Sequence, residues 1–190
     1  MNNKAAMEMS VGTLVTIVLL MAVLGLGLFL IQKIGGGATA SVDLINDKVI
    51  SEINTLFSDE GSNVIVKLGA DRKAKIKDDT QDFGIAIGAQ TPDGGTAGGN
   101  RLQYKLELDN SEQNNCITVL GGITKVQSLM QQRTGIWINF DGFDGSTAWA
   151  RIGFNIPKAT QKCSQKILIE VKDTKTSEVF AGTFFKIEII

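Results

Sequence analysis

Few side chains in this 190-residue chain could do chemistry, and what is missing narrows the choice first. There is no histidine, so no Ser-His-Asp or Cys-His nucleophile can be built, nor any histidine-containing zinc site. Cys116 and Cys163 are the two cysteines. They form no CxxC pair, which argues against dithiol redox catalysis and metal binding. Each follows a polar stretch, residues 111–115 and 157–162. Each therefore falls near a strand end, where loops at one rim of a domain meet. A structural disulfide is the economical reading, and two unpaired, half-buried thiols are the alternative. A disulfide needs an oxidising compartment and so favours a location outside the cell. Asp141-Gly142-Phe143-Asp144-Gly145 places two carboxylates in one turn. Calcium takes about six to eight oxygens, and that set is missing, so the segment reads as a β-turn. Trp137, Phe140, Phe143 and Trp149 cluster aromatics near it, and core packing is a better reading than a carbohydrate platform. No catalytic, cofactor-binding or metal-ligating set emerges, and the expectation is a protein that is not an enzyme and carries no cofactor. With a net charge of −1 and no basic cluster, no nucleic-acid partner is expected. No small-molecule substrate is inferred.

The elements that would position these residues begin with an apolar run. Residues 9–32 carry no charge, and residues 11–31 are almost wholly apolar. About 20 helical residues cross a ~30 Å hydrocarbon core, so a transmembrane helix is expected over 11–34, with the lipid bilayer as a partner. A cleaved secretory signal is the alternative, with residues 35–40 as its small-residue region; the run is longer than such signals use. Lys4 and Glu8 before the run and Lys33 after it leave the orientation close to a tie. The cysteines decide it in favour of an external C-terminal domain.

A glycine linker and an amphipathic helix are expected over 35–60. Val42, Ile45, Val49, Ile53 and Leu56 recur at three- and four-residue spacing. Beyond Gly61 the period changes to two. Val64, Val66 and Leu68 form one such set; Phe83, Ile85 and Ile87 another; Leu102, Tyr104, Leu106 and Leu108 a third. Residues 148–156, 167–172 and 179–189 continue the pattern, and residues 136–140 look like a further strand. A short helix is expected over 126–132, and an exposed loop over 91–100. The fold class is α+β: a transmembrane helix and an amphipathic helix, then an antiparallel β-sandwich of immunoglobulin-like architecture over 61–190.

The first ten residues, Met-Asn-Asn-Lys-Ala-Ala-Met-Glu-Met-Ser, put a basic residue and a small one just ahead of the apolar run. This resembles the class III signal peptide of archaeal type IV pilin-like proteins, over roughly the first 35 residues. The resemblance implies processing at Lys4, Ala5 and Ala6, with Ala6 as the new N-terminus. It also implies a charge-pairing role for Glu8, although Glu8 stands two places nearer the terminus than the family's acidic position. The implied function is a filament subunit: copies associate through the apolar helix and display their β-domains at the cell surface. A non-polymerising, membrane-anchored binding module of the cell envelope is the alternative.

Overall fold

A computed structural model describes residues 12, 15–25, 47–113 and 115–190. The chain divides into two compact units, Met1–Gly37 and Ala38–Ile190, and each is described by itself. In the first unit the described residues are helical, and the Thr16 hydroxyl donates to the Gly12 carbonyl at 2.7 Å. The expected transmembrane helix over 11–34 is not borne out. Among the described residues no helix is long and apolar enough to cross a membrane. The linker at residues 35–37, with Val42 and Ile45, lies outside the described residues.

Among the described residues of the second unit, helix α1 (Asp47–Glu60) comes first, followed by strands β1 (Val64–Val66), β2 (Lys73–Ile76), β3 (Thr80–Gln90) and β4 (Leu102–Leu108). Two short helices come next, α2 (Cys116–Leu120) and α3 (Ile123–Gln127). The last strands are β5 (Trp137–Asn139), β6 (Gly142–Asp144), β7 (Thr147–Ile156), β8 (Cys163–Asp173) and β9 (Glu178–Ile189). They form two sheets, ordered β1-β3-β7-β6 and β2-β9-β8-β4-β5.

Alternation builds the sandwich. In β8 every second residue from Cys163 to Asp173 is buried, as period two requires when one face meets a core and the other water. Ile85, Ile87, Ile152 and Phe154 of the first sheet share one buried cluster with Tyr104, Leu106, Ile167 and Phe185 of the second. The rings of Phe154 and Phe185 meet edge-on across the layer at 6.2 Å. Each such side chain contributes about 1.5–3 kcal/mol by leaving water. The β-sandwich reading therefore holds, with a change in its topology: β2 runs parallel to β9, pairing Ala74 with Ile187. The chain leaves β1 in the first sheet, crosses to the edge of the second as β2, and returns to the first as β3. That crossing sets β2 beside a strand running the same way.

Strand β3 breaks the alternation, being buried without interruption from Phe83 to Ala89. The cause is α1, which covers the outer face of the first sheet. Val49, Ile53 and Phe57 pack there on Ile65 and Ala86. Gly88 makes the approach possible, since a Cβ at that position would lie 2.6 Å from the Ile53 Cγ2. The helix expected over 126–132 lies earlier. The Asn115 side chain caps α2 by accepting the Thr118 N–H, and Gly121 ends it with φ 84°. Residues beyond α3 run beside β7 instead, with Gln131 N–H donating to Gly153 and Asn155 N–H donating to Leu129.

Candidate functional site

Among the predicted residues, Lys4, Ala5, Ala6 and Glu8 lie outside the described residues. Cys116 and Cys163 are brought together as a disulfide, with Cα atoms 5.0 Å apart and 47 residues between them in sequence. Cys116 has no exposed surface and Cys163 is buried as well. Asp141 and Asp144 are not brought to a common point. Asp141 accepts the Arg151 backbone N–H at 2.7 Å, while Asp144 turns toward α1. The four aromatics also separate. Phe140 packs edge-on against Tyr104 in the core. Trp137 lies on the outer face of the second sheet, with the ammonium groups of Lys105 and Lys172 at 5.2 and 4.6 Å from its ring centre. Phe143 is 53% exposed and, with Trp149, forms one wall of a groove.

That groove has a volume of about 810 Å³. Its other wall is α1. Asp47, Ile50, Ser51 and Asn54 follow the three- and four-residue spacing that stacks side chains along one side of a helix. The wall formed by the β6–β7 hairpin is held from below. Gly142 lies so close under the Trp149 indole that a Cβ would meet it at 2.8 Å, and Gly98 lies likewise under Phe143. Asp47 and Asp144 are exposed and have no ion-pair partner among the described residues. The groove thus offers two aromatic surfaces and two free carboxylates. That is chemistry for an alkylammonium group, whose stem can lie on a ring and whose charge can meet a carboxylate.

A second feature was missed in the sequence. The loop over 91–100, expected to be open to solvent, is tied down by Arg101, which is only 5% exposed. The guanidinium donates to Asp173 Oδ2 through Nε at 2.9 Å and Nη2 at 2.6 Å. Its Nη2 also meets Asp93 Oδ1 at 2.8 Å. The Thr91 hydroxyl donates to the Gly95 carbonyl, and Ala97 N–H donates to Gly145. The hydrogen bond from Arg101 holds the Asp93 carboxyl at about 2, with help from the Gly95 N–H. Arg101 is also the main cause lowering the Asp173 pKa. The signal available in the sequence was one arginine between a glycine-rich stretch and a strand; its partner lies 72 residues away. This is a structural node.

No protein-family model matches the chain, and no curated protein matches it. Among solved structures, it is similar to the ASH/PapD-like domain of human CEP192 (PapD-like domain 7). Identity is 7%, the TM-score is 0.35, and the likeness covers 67% of this chain and 84% of that one. A likeness this weak carries no inference about function.

Proposed function

We propose that this chain is a pilin-like structural subunit. It displays its β-sandwich outside the cell and associates with copies of itself through the apolar stretch at residues 11–31. The buried Cys116–Cys163 disulfide carries this reading. A bond of this kind belongs to an oxidising compartment, which supports an external domain. The short polar leader ending in Lys4 and Ala5 supplies the second half. Removing it leaves a new amine two residues from Glu8. The two opposite charges can neutralise each other when the apolar stretches pack together, where either alone would be costly to bury.

N-terminal mass spectrometry of the native protein tests the reading, with a mature chain beginning at Ala6 as the expected result. Lys4→Ala with Ala5→Leu should leave the precursor uncut. A native terminus at Met1 or Asn2 would favour the second reading, a non-polymerising binding module of the cell envelope. The groove between α1 and the β6–β7 hairpin is the observation that favours that module.

A further inference from the structure

The groove has a counterpart on the far side of the sandwich. Lys166 pairs with Lys186 across β8 and β9, and Lys186 pairs with Lys73 across β9 and β2. Three lysines thus stand in one row on neighbouring strands, about 4.8 Å apart from strand to strand. Their strand neighbours Ala74, Ile167 and Ile187 point into the core, so the row lies on the outer face of the second sheet. Like charges directly opposite one another destabilise a sheet, and the protein neutralises only part of this row. Lys166 meets Asp109 and Lys186 meets Glu112. Lys73, exposed on the edge strand, has no carboxylate partner among the described residues.

We infer that the groove of one copy receives Lys73 of a second copy, joining the outer face of one sandwich to the opposite outer face of the next. The signs match: the free charges lining the groove are Asp47 and Asp144, and the free charge at the edge of the row is a lysine. The shapes match too, because a lysine stem can lie across Phe143 and Trp149 while its ammonium reaches the carboxylates. Different patches on opposite faces make a heterologous contact, which builds an open filament when the rotation from copy to copy does not close a ring. The inference rests on the filament reading and gives it a second contact, between the displayed domains.

Cysteine cross-linking of the full chain tests it, since both native cysteines are already paired. Thr55→Cys on the groove rim with Lys75→Cys in the same chain, which leaves Lys73 in place on the same face of β2, should give a ladder of disulfide-linked multimers. Mixing the two single variants should stop at dimers. In sedimentation, Asp144→Lys or Lys73→Glu should each raise the concentration needed for assembly about tenfold, and the double variant should restore it. Assembly with no cross-link and no charge effect would overturn the contact and leave the filament reading standing. A ladder from a chain whose native terminus is Met1 would uphold the contact and remove the processed, pilin-like reading. A chain that neither assembles nor cross-links would overturn both. Trp149 fluorescence that saturates with an oligolysine peptide, without any ladder, would assign the groove to a foreign basic partner and overturn the contact.

Discussion

Strands β4 and β8 are fastened at both ends, by different chemistry. At one end Leu102 pairs with Asp173, and the adjacent Arg101 grips the Asp173 carboxylate and the Asp93 loop. The Thr174 N–H closes the corner by donating to the Arg101 carbonyl at 2.8 Å. At the other end the ladder continues past Leu108 and Ile167 through the Asp109 N–H, which donates to Lys166. Asn115 bridges to Ser164, and the disulfide follows at once. One clamp is ionic and reversible with pH. The other is covalent and answers to redox conditions. Each holds an irregular segment that could not hold itself: a glycine-rich loop at one end, the α2–α3 turn at the other.

The comparison can be broken most severely at the covalent end. Cys116→Ser with Cys163→Ser should cost about 4 kcal/mol for a loop of this length, under the chain-entropy account. Urea unfolding with and without reductant measures it, and an unchanged midpoint would show that the disulfide holds nothing. At the ionic end, Arg101→Met leaves the Asp173 carboxylate buried without its partner. We expect the melting temperature to fall by on the order of 10 °C in calorimetry.

Acid should separate the two ends. Asp93 is held at about 2, and Asp173 is also lowered, both against an unfolded value near ~3.9. A carboxylate lowered by folding stabilises the protein above its unfolded value and loses that contribution as pH falls through its folded value. Stability should therefore drop between about pH 4 and pH 2. Amide exchange should rise first at Gly95 and Lys175, whose N–H groups donate to Asp93 and Asp173. Asp109, at the covalent end, is also held at about 2, by Ser111. Protonating it loosens that turn while the disulfide stays shut, so the Thr118 amide should remain protected. Exchange rising equally at Thr118 would contradict the division. Asp93→Asn should have the smallest effect, a shift of about 1–2 °C, because its partner already has Asp173 and the site is exposed.

The parts of the fold legible in the sequence were those set by a single face. Leu102, Tyr104 and Leu106 alternate with Gln103 and Lys105 because one side of β4 meets the core and the other meets water. Strand β2 was passed over: Lys73-Ala74-Lys75-Ile76 alternates, but over four residues with only two apolar side chains, and the pairing that makes it a strand comes from residues 186–189. Ile53 was legible from its helical spacing, but not what it would cover, since Gly88 and Ala86 carry no sign that a helix lies on them. The disulfide was inferred from two cysteines in similar contexts and is present. The groove was not foreseen, because its two walls lie nearly a hundred residues apart in the chain. Phe143 and Trp149, read as core, serve there as surface.

Strand β9 has a consequence for how the molecule comes to be made. It holds the final twelve-residue strand of the sandwich, and it lies between β2 and β8. Until it arrives, β2 has no neighbour, β8 has one open side, and the core lacks Phe185, Ile187 and Ile189. A chain that has not yet added β9 has much of the sandwich in place but unclosed. Pairings across more than a hundred residues then form late and slowly.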